Sequence, residues 1–203
     1  MEPTADLIEA LQGKRLLIFD FDGTVADTTP MHTAAFFEVL APLGIKVDYS
    51  SIAGLKTLDA MRKCLSSSSQ LLNDSELSVL VVAKQKCVRQ MISLSLLPLP
   101  GVDRFLRWAR ARYQLAMVTS GSYGTVSLAL EKLGYSGWFD PLVCADDVLK
   151  SKPDPEGFLS VISQTGVPIA EALVFEDSDV GIAAATAAKL DCYDVRTGWL
   201  GSS

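Results

Sequence analysis

The sequence predicts an α/β fold, a parallel sheet whose first crossover is interrupted by an all-helical insert. Three observations carry it. After residue 100, strand and helix patterns alternate, as in a parallel sheet built from right-handed crossovers. Between residues 28 and 97 only helical patterns appear. Residues 15–19 form an apolar run of the kind buried on both faces, and it ends in Asp20-Phe21-Asp22-Gly23-Thr24.

Each element follows from local pattern. Residues 5–11 predict a short amphipathic helix with Leu7, Ile8 and Leu11 on its buried side. Further strands are expected at 114–118, 142–145, 172–175 and 192–195, with helices at 102–111, 123–133, 155–165 and 181–189. In the insert, helices are expected at 32–40, 58–65 and 76–93. Asp74 or Ser75 is placed to cap the last of these, and Ser66 to Ser69 read as a mobile loop. Pro98-Leu99-Pro100-Gly101 then breaks the helix. The expected domains are therefore a discontinuous α/β core, 1–27 and 98–203, and a helical insert, 28–97. Because the insert leaves directly after the carboxylate motif, it is placed to hang over it as a cap. No internal repeat is visible.

Composition narrows the function. The 203 residues are 49% hydrophobic and 21% charged, an ordinary globular balance. A net charge of −6 offers no basic face to nucleic acid, and no apolar run reaches membrane-spanning length. Cys64, Cys87, Cys144 and Cys192 lack metal-ligand spacing and read as reduced thiols. With no basic-then-apolar leader pattern, the expected location is cytoplasmic. The expected partner is a small phosphorylated metabolite, with no nucleic acid and no membrane, and the expected state is a monomer, with a weak dimer as the alternative.

Asp20 and Asp22 fall on one side of the strand end and Phe21 on the other. Two adjacent carboxylates repel unless a cation or a shared proton relieves them, which suggests a divalent metal, phosphate chemistry, or both. Ligands of parallel sheets bind beyond the carboxyl ends of the strands. The other ends supply Thr119-Ser120-Gly121-Ser122, a hydroxyl and amide cluster suited to phosphate oxygens, then Lys152, then Glu176-Asp177-Ser178.

These strings resemble the four ordered motifs of the haloacid dehalogenase (HAD) superfamily: DFDGT, the TS pair, the lysine of SKPDP, and EDSDVG. The likeness spans essentially the whole chain, including the position of a helical cap. It implies a Rossmann-like core and an aspartyl-phosphate mechanism. Asp20 would be the nucleophile, and Asp22 the general acid and then base. Thr119 and the Ser120 backbone would bind phosphate, and Lys152 would offset its charge. Magnesium (Mg2+) would be held by Asp20, the Asp22 carbonyl and Asp177, with Glu176 bound directly or through water. Chemistry agrees, because a carboxylate attacking a phosphate dianion meets repulsion that a metal and an ammonium relieve.

The nearest resemblance inside the superfamily is to the β-phosphoglucomutase-like group and to bacterial sugar phosphatases acting on fructose 1-phosphate. The expected function is thus Mg2+-dependent hydrolysis of small sugar phosphates. A phosphomutase is the alternative. The cap arginine that grips the far phosphate in β-phosphoglucomutases corresponds here to Thr57, and a lysine of that family to Ala53, while Lys56 stands one residue away. A non-catalytic binding module is the remaining alternative, disfavoured by the intact set of Asp20, Asp22, Lys152 and Asp177. His32, Gly54 and Lys56 are the cap residues expected near substrate. His32 otherwise reads as structural, and Asp27 as a hinge support or the cap of the first insert helix.

Overall fold

The computed structural model describes residues 4–66 and 72–198. Strand β1 (Leu16–Phe19) is buried along its whole length. It pairs in parallel with β2 (Gln114–Val118) on one side and β4 (Ala172–Glu176) on the other. The strands β3 (Leu142–Val143) and β5 (Asp191–Asp194) form the edges, giving the order β3-β2-β1-β4-β5. The central position of β1 sets Asp20 in the middle of the carboxyl edge.

Alternation along β1 builds two apolar layers. Leu17 and Phe19 face α1 (Ala5–Ala10), α5 (Val102–Arg110) and α6 (Tyr123–Leu133). Leu16 and Ile18 face α7 (Glu156–Thr165) and α8 (Asp179–Ala187). Phe19 is fully buried and stacks on Phe175 with centroids 4.7 Å apart. Burying such a side chain contributes about 1.5–3 kcal/mol.

The insert holds α2 (Thr29–Leu40), α3 (Thr57–Ser66) and α4 (Asp74–Ser95). Phe36, Leu40, Ile52, Met61 and Leu77 form its own apolar cluster. It is not sealed off from the sheet. Val88 and Ile92, farther along α4, belong to the main core. The two chain passages into the insert also lie side by side, since Ala26 bridges Pro98 and Leu99 N–H donates to the Val25 carbonyl at 3.0 Å.

Several expectations need correction. Ile8 is 49% exposed, because the buried stripe of α1 is Leu7 and Leu11 at i, i+4 spacing and Ile8 lies about 100° around the helix. The cap of α4 is Asn73, not Asp74 or Ser75. Its Oδ1 accepts from Glu76 N–H at 3.0 Å while Glu76 Oε2 accepts from Asn73 N–H at 2.9 Å, a reciprocal box. Asp27 is exposed and does not cap α2, whose first flanking residue is Thr28. The edge strand β3 is two residues long, because the chain turns into a short 3-10 helix at Ala145–Asp147. The helix α8 starts at Asp179, two residues ahead of expectation, with Ser178 Oγ accepting from Gly181 N–H at 3.1 Å. Ser66 ends α3, whereas the rest of the expected serine loop, and the Gly201-Ser202-Ser203 tail, lie outside the described residues.

Candidate active site

The carboxyl ends of β1, β2 and β4 converge on one cavity of about 60 Å³ under the insert. Asp20, Asp22, Ser120 and Asp177 line it from the sheet, and His32, Tyr49, Gly54 and Lys84 line it from the insert. Turn chemistry brings the first set together. Gly23 sits at φ 82°, and a Cβ there would collide with the Asp177 carboxylate. Only glycine lets the β1 turn pass so close to the β4 end.

Lys152 is buried and spends its ammonium on three acceptors. These are Asp20 Oδ1 at 2.7 Å, Glu176 Oε1 at 2.5 Å and the Val118 carbonyl at 3.0 Å. Burial works against its charge, but Asp20 and Glu176 outweigh that and raise its pKa. Asp20 is also raised, by burial first and then by Glu176, Asp177 and Asp22, against the pull of Lys152. Short contacts from Lys152 to both carboxylates favour a charged lysine. The upward push on Asp20 comes from burial first, with the three neighbouring carboxylates adding to it.

Glu176 is fully buried, and both its oxygens are occupied. Oε1 takes Lys152, while Oε2 accepts from the N–H groups of Asp177 and Ser178 at 3.1 Å and from Ser178 Oγ at 2.9 Å. Asp177 is pushed up to about 6 by burial and then by Glu176 and Asp22. Oxygens of Asp20, Glu176 and Asp177 lie within 4.8 Å of one another. An all-oxygen set with unrelieved negative charge fits a hard divalent cation such as Mg2+.

Asp22 lives in a different environment. Thr28 Oγ1 donates to its Oδ1 at 2.6 Å, and His32 Nε2 lies 3.3 Å from the same oxygen. Burial favours its neutral form, yet His32, the Thr28 hydroxyl and Lys84 together hold it well below the usual carboxylate range. Lys84 Nζ lies 2.8 Å from His32 Nδ1. An ammonium donating to Nδ1 leaves the ring proton on Nε2, facing Asp22. That contact is poorly aligned, so Nε2 is the buried side-chain polar atom among the described residues without a hydrogen-bond partner. Burial brings Lys84 down to about 8, against the opposing effect of Asp22. Its ammonium also sits 4.7 Å from the Phe36 ring centroid.

The remaining expected residues divide. Thr119 is buried at the end of β2, its Oγ1 accepting from Gly121 N–H at 3.0 Å. Ser120 Oγ donates to the Gly54 carbonyl at 2.6 Å, which leaves its backbone N–H as the donor for a ligand. Gly54, at φ 78°, presses against Ser178 and Val180 where a Cβ would not fit. Lys56 is placed elsewhere, because its ammonium donates to the Val148 carbonyl at 2.7 Å and it does not line the cavity.

Sequence reasoning missed Lys84, Thr28 and Tyr49. Lys84 had a signal, since it interrupts the apolar stripe of Leu77, Val88 and Ile92 on α4. Thr28 and Tyr49 had none, because only folding turns them toward the carboxylates. Burial and then Asp22, Asp177 and Asp20 raise the Tyr49 hydroxyl, keeping it protonated as a donor.

Comparison with known proteins agrees with this geometry. Residues 17–195 match the haloacid dehalogenase-like hydrolase family. The chain is 37% identical over 182 residues to fructose-1-phosphate phosphatase YqaB of Escherichia coli K12, covering 89% of this chain and 95% of the relative. It is 29% identical over 179 residues to a phosphorylated carbohydrates phosphatase of Thermotoga maritima, covering 86% and 82%. The crystal structure of CbbY from Rhodobacter sphaeroides with phosphate superposes with a TM-score of 0.79 at 25% identity, over 88% of this chain and 84% of that one. Family match, relatives and a lysine shared between two buried carboxylates thus lead to one assignment: this chain belongs to the haloacid dehalogenase-like hydrolases and is an enzyme of their phosphatase kind.

Proposed function

We propose that the chain is a Mg2+-dependent phosphatase of small sugar phosphates, fructose 1-phosphate among them, acting through an aspartyl-phosphate on Asp20. One observation carries this reading: the two aspartates have different partners. Asp20 shares Lys152 with Glu176, whereas Asp22 is held by Thr28 beside His32. Residues with the same side chain are thereby fitted to different tasks. The name of the Escherichia coli relative supports the substrate class.

In the first half-reaction an oxygen of Asp20 bonds to phosphorus as the bond to the sugar oxygen breaks, and Asp22 delivers a proton to that oxygen. In the second, Asp22 takes a proton from water, the water oxygen bonds to phosphorus, and Asp20 departs as a carboxylate. The structure holds Asp22 in the carboxylate form that this second step needs. An arriving phosphate dianion adds negative charge beside it and favours the protonated form for the first step. Lys152, the Thr119 hydroxyl and the Ser120 N–H face the transferring oxygens. Asp20, the Asp22 carbonyl and Asp177 would hold Mg2+, which would supply further charge neutralisation. The hydrogen bonds already on both oxygens of Glu176 favour its contact with the metal through water.

Segment 28–97 is the cap over the core formed by 1–27 and 98–203, moving on passages near 28–30 and 97–101. A cavity of about 60 Å³ is far below the usual ligand pocket of roughly 300 Å³ or more, so a sugar phosphate enters through an open cap. No arginine stands among the described lining residues, and Ala53 and Thr57 occupy the places of the mutase cations, which favours hydrolysis over isomerisation. The four cysteines form no disulfide, in keeping with a cytoplasmic enzyme, and no helix among the described residues is long and apolar enough to cross a membrane.

A panel of phosphate esters, with and without Mg2+, tests this reading, with glucose 1-phosphate isomerisation measured alongside. We expect phosphate release from fructose 1-phosphate, abolished by chelation and by Asp20→Asn. Isomerisation faster than release would point to a mutase, and no release from any ester would overturn the assignment.

A further inference from the structure

Segment 54–59 of the insert touches three loops of the sheet at once. The Gly54 carbonyl accepts from Ser120 Oγ at 2.6 Å, beside the phosphate-binding Thr119. Gly54 itself packs on Ser178 and Val180, next to Asp177. Lys56 Nζ donates to the Val148 carbonyl at 2.7 Å, and Asp59 Oδ2 accepts from Ser151 Oγ at 2.6 Å. The last two contacts bracket the loop that ends in Lys152.

That loop is secured residue by residue. From the core side, Glu156 Oε1 accepts from Leu149 N–H at 2.7 Å and Glu156 Oε2 from Lys150 N–H at 2.9 Å. From the insert side come Lys56 on Val148 and Asp59 on Ser151. Leu149 is 95% exposed, so within the loop only Val148, which packs on the apolar layer beneath α7 and α8, is held by apolar contact. Polar contacts hold the rest: Glu156 and Asp154 from the core side, the latter donating its N–H to the Ser151 carbonyl at 3.0 Å, and Lys56 and Asp59 from the insert. Immediately afterwards, Lys152 must hold Asp20, Glu176 and the Val118 carbonyl within 2.5–3.0 Å.

We propose that Lys56 and Asp59 are positioning residues for phosphoryl transfer, clamping loop 148–151 so that cap closure and the placement of Lys152 are one event. This rests on the phosphatase reading for its kinetic arm alone. With the cap open, both insert contacts are lost and the loop keeps only its core side, the contacts with Glu156 and Asp154 and the packing of Val148. Lys152 then meets Asp20 less often in reactive geometry, and the nucleophile is fully readied only when the cap has excluded water. Lys56 serves the reaction as a strut and not as a grip on substrate.

The test combines kinetics with hydrogen exchange. In Asp59→Ala, Ser151→Ala and Lys56→Met we expect kcat for fructose 1-phosphate to fall about tenfold with KM little changed, the size of effect that a sub-ångström misplacement produces. The double variant Asp59→Ala/Ser151→Ala should be no slower than either single one, and Lys56→Arg, which keeps a donor for the carbonyl, should retain most activity. In the metal-free enzyme, amides 149–152 should exchange at least about threefold faster in Asp59→Ala and Lys56→Met, with β1 and β4 unchanged. Additive losses in the double variant, a change in KM alone, or unchanged exchange at 149–152 would overturn the clamp. Should the wild type release no phosphate from any ester, the functional reading fails, and the exchange result still decides whether the insert holds the loop.

Discussion

Thr28 Oγ1 donates to Asp22 Oδ1 at 2.6 Å, so the aspartate proposed to handle protons is tied to the residue at which the chain enters the insert. Thr28 is fully buried and lies one residue before α2. A rotation of the passage there moves the donor that fixes the Asp22 carboxylate. On the proposed mechanism, the angle of the insert and the aim of the proton donor are therefore linked through one hydroxyl.

Replacing Thr28 by valine keeps its shape and removes the donor. A hydrogen bond to a charged group is worth about 1.5–3 kcal/mol, so kcat for a sugar phosphate should fall about 10- to 100-fold while the fold persists. Steady-state kinetics with circular dichroism checks this. Full activity in Thr28→Val would show that Asp22 is aimed by other groups.

Lys84→Met should stabilise the protein at pH 7 at the expense of activity. The Lys84 pKa falls from 10.5 to about 8 on folding, which corresponds to a cost of about 3 kcal/mol for burying the charged form. For a base with a depressed folded pKa, the native state binds fewer protons between those two values. Stability from this group therefore rises with pH through that window, and the cost is complete below about 8. Urea unfolding of both proteins should show a gain in Lys84→Met that is largest at pH 7 and small at pH 10.5. A gain independent of pH would mean that packing around the methionine, not charge, is responsible.

Mg2+ should raise the melting temperature more at pH 7.5 than at pH 5. Asp177 is raised from 3.8 to about 6, so without metal its stabilising proton is lost as pH climbs through that value. Above it, repulsion with Glu176 and Asp22 is complete, and a cation relieves it. Below it, protons compete with the cation. Thermal scans with Mg2+ and with chelator decide the matter, and equal shifts at both pH values would remove Asp177 from the metal site.

Gly54→Ala should disable the enzyme without unfolding it. The φ of 78° costs a non-glycine residue about 1–2 kcal/mol, and the new methyl would press on Val180 and Ser178. Swinging the cap away relieves that pressure more easily than distorting α8. We expect kcat/KM to fall at least about tenfold, since the closed geometry is lost, with a small change in unfolding midpoint. Wild-type kinetics in this variant would show that 54 need not seat against α8 during turnover.

How much of this was legible in the sequence varies by element. The apolar run of β1 and its Asp-x-Asp ending identify a buried central strand and its exit, because an unbroken apolar run and two carboxylates two residues apart are both local features of the sequence. Capping was read less well. Asn73 won over Asp74 because its backbone is extended, at φ −77° and ψ 169°, and because Glu76 completes the box. Burial on α1 turned on which of two adjacent apolar residues faces the sheet, and Leu7 displaced Ile8 there.

By itself, the sequence determined the fold class, the family, the order of its motifs and the proposed roles of Asp20, Asp22, Lys152 and Asp177. These are encoded by residue type and by position at the ends of apolar runs. Tertiary structure alone decided which cap residues meet them. Lys84 reaches His32 across 52 positions of chain and Asp59 reaches Ser151 across 92, and no local pattern encodes such contacts. It also took Lys56 out of the cavity and gave it to Val148, because the way the insert seats on the sheet, rather than spacing along the chain, sets where a long flexible ammonium ends.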